Sequence, residues 1–111
     1  DNEILQQANW QIKTGEYDLC AGVSAISSPG HTAGHMSLLI EMPTGTPIIL
    51  AGDAADLTEN ITDETAPGNC WQNNTELAIE SIRKLKALAT AENATLWPNH
   101  DMAFWQKISA K

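Results

Sequence analysis

The sequence predicts an α/β fold in which helices cover one face of a β-sheet. Short apolar segments with the composition of strands lie at residues 17–27, 36–42, 48–51 and 95–97. A long amphipathic helix is predicted between the last two of these segments, and a terminal helix is predicted after them. Strands, a loop, a helix, a strand and a helix in this order are typical of a sheet with helices packed on it.

Most of the predicted strands lie in the first half of the chain. Residues 2–11 are expected to form the end of a helix, and residues 17–27 form an extended segment that is interrupted at Ala21-Gly22. The segment 48–51 (Ile-Ile-Leu-Ala) predicts a short strand that is buried on both faces. The polar segment 53–72 is predicted to be irregular, and a loop of this length in a compact domain indicates a function.

One amphipathic helix is predicted to cover the sheet. Asn74 has the position of an N-cap, and Glu76 follows in the first turn, where a carboxylate is favourable. Basic residues lie on the face opposite to an apolar stripe, so the stripe is expected to pack on the sheet. The stripe consists of Ala78, Ser81, Ile82, Leu85, Leu88 and Ala89. The terminal helix is predicted at 102–109.

The composition limits the classes of function. The 111 residues suffice for one domain with its own core, and 14 acidic against 6 basic residues give a formal charge of −8. This charge repels a phosphate backbone and offers no basic patch to an anionic membrane surface, so neither nucleic acid nor a membrane is an expected partner. The apolar stretches of the sequence are too short to cross a bilayer. We expect a cytoplasmic protein.

The two cysteines, Cys20 and Cys70, are far apart in the sequence and lack the paired spacing of a zinc knuckle. Separate thiols of this kind suit a reducing compartment. Cys20 lies in a strand-like segment and is expected to be buried, whereas Cys70 lies in a loop and is expected to be more accessible.

The segment 28–35 (Ser-Pro-Gly-His-Thr-Ala-Gly-His) has the most informative pattern. It holds His31 and His35 between two apolar segments, with glycines that let a loop side chain approach a metal ion. Asp53 and His100 each follow a further apolar segment, again beside glycine or proline. Imidazole nitrogen and carboxylate oxygen are the ligands of hydrolytic zinc. His31, Asp53 and His100 therefore predict a metal site at one edge of the sheet.

Each of these residues also has a simpler interpretation. A loop histidine such as His31 is more often a surface or helix-capping residue. His35 either orients a ligand from behind or is a hydrogen-bonded histidine buried near a strand end. Asp53 could form an Asx-turn, although a carboxylate at the end of a buried strand is unfavourable unless it is paired or binds a cation.

Taken in order, the motifs resemble those of metallo-β-lactamase-fold hydrolases, and in particular those of the N-acyl-homoserine lactonase group. Segment 28–35 is similar to that group's Thr/Ser-Pro-Gly-His-Thr-Pro-Gly-His motif, and segment 51–54 (Ala-Gly-Asp-Ala) to its next motif. Segment 99–101 (Asn-His-Asp) is similar to its Gly-His-Asp. Segments 10–17 and 76–86 are similar to the stretch before its strand and to its covering helix.

The resemblance implies a fold and a site with two metal ions. Residues 1–111 would be the C-terminal half of a metallo-β-lactamase-fold domain, which is one half of an αββα sandwich and consists of a mixed sheet covered by helices. His31 would bind one Zn²⁺ or other divalent transition-metal ion, His100 would bind the second, and Asp53 would bridge them. His35 would not bind a metal ion itself but would orient one of the metal ligands. A metal-bridging hydroxide would attack the carbonyl of the substrate.

Two features depart from the lactonase group. The His-X-His-X-Asp-His motif, which supplies the other metal ligands in that group, is absent, so the N-terminal half is expected in the same chain upstream or in another chain. Asp56 stands where the group has a tyrosine that contacts the substrate carbonyl, and an ionised carboxylate cannot donate that hydrogen bond. We expect Asp56 to be catalytic together with Asp53. The alternative is that it is solvated or caps Thr58 and Glu59.

The predicted function of the complete protein is the zinc-dependent opening of a lactone ring, with N-acyl-homoserine lactones as substrates and quorum quenching as the outcome. A thioester hydrolase similar to glyoxalase II is the alternative enzyme. A non-catalytic half-domain that binds a partner chain through its exposed sheet edge, or a small metal-free binding domain, is the alternative outside enzymes. Seryl or thiol covalent catalysis has no supporting motif.

Overall fold

The computed structural model describes residues 2–110 and shows a five-stranded sheet with the order β1-β2-β3-β4-β5. The strands are β1 (Tyr17–Cys20), β2 (Val23–Ser27), β3 (Met36–Ile40), β4 (Ile48–Leu50) and β5 (Thr95–Trp97). The helices are α1 (Asn2–Gln7), α2 (Thr58–Thr62), α3 (Thr75–Ala91) and α4 (Met102–Ser109). The predicted α/β class with a mixed sheet is confirmed.

The direction of the strands determines where the site lies. The pairs β1/β2, β2/β3 and β3/β4 are antiparallel, whereas β4 and β5 pair parallel. The strands β2, β4 and β5 therefore run in the same direction, and their carboxyl ends meet at one edge of the sheet together with the amino end of β3. All the segments that carry the candidate ligands begin or end at this edge.

Helix α3 covers one face of the sheet through its apolar stripe. Asn74 caps the helix as predicted, because its Oδ1 accepts a hydrogen bond from the backbone N–H of Leu77 (3.0 Å). The side chains of Ile82 and Leu85 are fully buried, and Leu85 belongs to the same core cluster as Ile49 of β4. Burial of a leucine or isoleucine side chain contributes about 1.5–3 kcal/mol, so these two side chains stabilise the packing of α3 on the sheet.

The opposite face of the sheet is apolar, and its residues on β3, β4 and β5 are only half-buried, whereas Ala25 of β2 is buried. Strand register places Ala25, Leu38, Leu50 and Trp97 in one row across four strands. Segment 48–51 was expected to be buried on both faces, and this prediction is wrong for two of its residues. The side chain of Ile49 faces α3 and is buried, whereas its neighbours in β4 are only half-buried because they point to this opposite face.

The structure corrects two further expectations. Segment 53–72 is not fully irregular, since it contains α2 and two 3₁₀ turns, Gly52–Ala54 and Trp71–Asn73. Cys20 is exposed rather than buried because β1 is an edge strand, whereas Cys70 is partly exposed, and both thiols are free. Across residues 2–110, every helix is too short or too polar to span a membrane.

Candidate metal centre

The side chains of His31, Asp53 and His100 converge at the predicted edge of the sheet. Nε2 of His31 lies 3.7 Å from Oδ2 of Asp53, and Nε2 of His100 lies 3.2 Å from Oδ1 of the same carboxylate. Two ligands that bind one tetrahedral metal ion at about 2.1 Å are roughly 3.4 Å apart, so both separations suit a shared ion. Each oxygen of Asp53 thus faces a different imidazole.

The loop that carries His31 is held against α3. Gly30 has φ +156°, and a Cβ at this position would lie 2.7 Å from the Cα of Ala78. Only glycine permits this approach. Ser81 of α3 donates a hydrogen bond from its hydroxyl to the carbonyl oxygen of Pro29 (2.6 Å), which anchors the same turn.

The ring of His31 is oriented as in a metal-binding histidine. Its Nδ1–H donates a hydrogen bond to the carbonyl oxygen of Asn69 (3.1 Å). A carbonyl can only accept, so Nδ1 carries a proton, and Nε2 is directed to the side of Asp53. Histidines that bind metals usually donate their second ring N–H in this way.

His35 does not offer a free nitrogen to a metal, because both of its ring nitrogens are hydrogen-bonded. Nδ1 lies 3.1 Å from the carbonyl oxygen and 2.9 Å from the hydroxyl of Ser28, and Nε2 accepts a hydrogen bond from the backbone N–H of Asp53 (2.9 Å). Burial lowers the pKa of His35, which keeps the imidazole neutral and able to accept. His35 therefore fixes the backbone of Asp53 from behind.

The carboxylate of Asp53 is kept ionised by its neighbours. The side-chain amide of Asn99 donates a hydrogen bond to Oδ1 (2.9 Å) and, together with His100 and His31, lowers the pKa of Asp53. The same amide nitrogen lies 3.1 Å from Nε2 of His100, in the space between the two side chains. Asn99 lies in the motif 99–101 but was assigned no role from the sequence, where its signal is an amide that directly precedes a candidate ligand.

Asp56 lies beside His100 and does not cap the helix that follows. Oδ1 of Asp56 is 3.9 Å from Nε2 of His100. Asp101 supplies the cap expected from Asp56, since Oδ2 of Asp101 accepts hydrogen bonds from the backbone N–H of Thr58 (3.0 Å) and from its hydroxyl. The capping alternative for Asp56 is therefore wrong.

Asp101 joins two helices at the site, a role that sequence analysis missed. Its Oδ1 accepts a hydrogen bond from the backbone N–H of Phe104 and caps α4, while its Oδ2 holds Thr58 at the start of α2. The hydrogen bonds from Thr58 are the main reason why the pKa of Asp101 is lowered. An aspartate three residues before an N–H of a predicted helix is an N-cap signal that the sequence did contain.

The chemistry of this donor set fits divalent transition-metal ions. Two imidazoles and a shared carboxylate are the ligands that zinc and its neighbours prefer. If two ions were bound, these three residues would offer one imidazole nitrogen and one carboxylate oxygen to each. A complete site needs at least one or two more protein ligands for each ion, so further donors would have to come from outside these residues.

Curated relatives of the chain are lactonases. The chain is 36% identical over 99 residues to an N-acyl homoserine lactonase of Bacillus sp and 35% identical over 99 residues to one of Bacillus cereus. It is 31% identical over 102 residues to the N-acyl homoserine lactonase AttM of Rhizobium radiobacter. These matches cover 86–89% of the chain but only 38% of each relative. No family model matches the chain.

Solved structures of lactone hydrolases have the same fold. An N-acyl homoserine lactone hydrolase with N-hexanoyl-L-homoserine bound at its catalytic metal centre matches with a TM-score of 0.81 and 34% identity, over 97% of this chain and 41% of that one. A quorum-quenching hydrolase of the same kind gives 0.82 and 33%, over 97% and 43%. A probable metal-dependent hydrolase from Staphylococcus aureus, with a TM-score of 0.66 and 17% identity over 80% of this chain and 31% of that one, shares the fold.

These matches confirm the relationship that the motifs predicted. The chain spans about 38% of the length of the curated relatives. The chain is therefore a homologue of the N-acyl homoserine lactonases and has the fold of the part of them that it matches.

Proposed function

We propose that the complete protein hydrolyses lactones, with N-acyl-homoserine lactones as its substrate class and quorum quenching as its role. The observation that carries this proposal is the position of Asp53, whose two oxygens face the imidazoles of His31 and His100. A carboxylate between two imidazoles suits a bridge between two metal ions. The relatives named lactonase support the choice of substrate.

His31 would hold one divalent ion, His100 would hold the other, and Asp53 would bind both, with Zn²⁺ as the first choice of metal. Such ions lower the pKa of water to about 7 and polarise a carbonyl, which is the chemistry that lactone hydrolysis needs. The protein positions these ligands in advance. His35 holds the backbone of Asp53, and Asn99 holds its carboxylate in the ionised form. Movement of Asp53 away from His31 or His100 is thereby restricted.

The half-buried face of the sheet is the proposed contact with the remainder of the protein. A cavity of about 290 Å³ lies on this face, lined among others by Leu38, Leu50, Trp97 and Trp105, with Asn99 at its border. We assign the chain to the C-terminal half of the αββα sandwich. The N-terminal half, in the same or another chain, would cover this face and bring the missing metal ligands. The two free thiols favour a reducing compartment, for which we propose the cytoplasm.

The test is hydrolysis by the purified complete protein. Ring opening of an N-acyl-homoserine lactone is measured through the acid that it releases. An acyl-glutathione thioester and a phosphodiester are assayed as alternative substrates, and bound metal is counted by elemental analysis. We expect lactone turnover and two metal ions, and loss of turnover in His31→Ala and His100→Ala. The exposed Asp63→Asn is the matched control and should retain activity.

Other results would decide against the proposal. Turnover of the thioester alone would favour the glyoxalase II-like alternative, and turnover of the phosphodiester alone would contradict both. A complete protein that binds metal weakly, associates with another chain and hydrolyses none of the three substrates would favour a non-catalytic half-domain.

A further inference from the structure

The backbone fixes Asp56 next to the proposed metal site. Its carbonyl oxygen accepts a hydrogen bond from the backbone N–H of His100 (2.8 Å), and the carbonyl oxygen of Ala55 accepts one from the N–H of Asn99 (3.0 Å). Because these bonds align the two segments, Asp56 and His100 lie side by side without the help of a metal. Their proximity is a property of the fold.

The side chains of Asp53, Asp56 and His100 form one cluster of metal-binding groups. One ligand atom from each residue lies within 4.8 Å of the other two. The side chains of both aspartates are partly shielded from water, with 39% and 33% of their surface exposed. Since Asp101 holds the backbone and hydroxyl of Thr58, the carboxylate of Asp56 is not used as a cap.

Two carboxylates beside one imidazole favour a divalent cation. Like charges at this separation repel each other, and the repulsion grows where water is partly excluded. A cation between them replaces the repulsion by two attractions. Oxygen ligands also change which metal is preferred, because carboxylates suit Mn²⁺ better than a nitrogen-rich site does.

We propose that Asp56 is a ligand of the metal ion that His100 and Asp53 hold, an inference that rests on the proposed function. The position where the lactonase group is expected to carry a tyrosine for the substrate would here serve the metal. The ion at His100 would then have a site richer in oxygen than the ion at His31. The two sites should differ in metal preference, with Mn²⁺ accepted more readily at His100.

Metal binding by the complete protein tests this assignment. The Asp56→Asn variant keeps the size of the side chain and removes its charge, and Asp56→Ser is a second uncharged variant should the first fail to fold. Affinities for Zn²⁺ and Mn²⁺ are measured by competition with a chromophoric chelator, and coordination is followed through the absorption of the Co²⁺-loaded protein. The exposed Asp63→Asn removes the same charge from the same region and is the control.

We expect Asp56→Asn to lower the metal affinity of one of the two sites by at least about tenfold and to lower the affinity for Mn²⁺ more than that for Zn²⁺. The absorption spectrum of the Co²⁺-loaded protein should also change. Asp63→Asn should change none of these. Unchanged affinities and spectra in Asp56→Asn would overturn the inference and leave the proposed function standing, and so would an equal loss in both variants. An unmodified protein without divalent metal would overturn the proposed function itself.

Discussion

Replacement of Gly52 by alanine is the sharpest test of how the carboxylate of Asp53 is positioned. Gly52 has φ +59°, and a Cβ at this position would lie 2.9 Å from Nε2 of His35. That nitrogen accepts a hydrogen bond from the backbone N–H of Asp53, so the added methyl group must displace either the ring of His35 or the backbone at Gly52. A residue other than glycine in this conformation costs roughly 1–2 kcal/mol, and loss of the hydrogen bond adds about 0.5–1.5 kcal/mol.

Gly52→Ala is therefore expected to lower the free energy of unfolding by about 1.5–3.5 kcal/mol. The assay is urea unfolding of the complete protein with a chelator present, so that bound metal does not contribute. The control is Gly68→Ala, because a Cβ at Gly68 meets no atom within 4 Å and the change should stay within about 0.5 kcal/mol. Metal affinity should fall in Gly52→Ala alone. Equal stability of the two variants would refute the proposed tight contact between Gly52 and His35.

Three further predictions concern other contacts. Burial lowers the pKa of His35, so as the pH falls this histidine binds a proton in the metal-free unfolded chain before it does so in the folded chain. The free energy of unfolding should therefore fall as the pH drops below about 6.5. In urea titrations at a series of pH values, His35→Gln should flatten this part of the curve. Asn99→Ala should raise the pKa of Asp53 towards its ordinary value, measured by carboxyl-carbon NMR without metal. Leu85→Ala should lower the free energy of unfolding by about 2–5 kcal/mol in thermal or urea unfolding, because Leu85 is buried. Lys84→Ala should lower it by less than about 1 kcal/mol, because the ion pair of Lys84 is exposed.

The convergence of the candidate ligands was predictable because its signals are local. Each of His31, Asp53 and His100 follows an apolar segment and stands near glycine or proline, and strand direction then brings them to one edge. The cap at Asn74 was predictable for the same reason, since a cap and the N–H that it accepts are close in sequence.

The contacts that were missed join residues that are far apart in the sequence. Asn99 reaches Asp53, and Asp101 reaches Thr58, through folding of the chain that no local pattern encodes. The exposure of Cys20 depends on β1 being at the edge of the sheet, which is a property of the strand order. Side-chain partners that depend on topology are thus the part of the site that a single sequence conceals.

The position of Asp53 between two imidazoles has a consequence for the stability of the complete protein. Each ion would be bound on one side by these residues and on the other side by the rest of the polypeptide. The metal ions would then cross-link the layers of the sandwich. A ligand present at a hundred times its dissociation constant adds about 2.7 kcal/mol to stability. The melting temperature of the complete protein should then rise with the free metal concentration, and a chelator should loosen the packing between the layers before either layer unfolds.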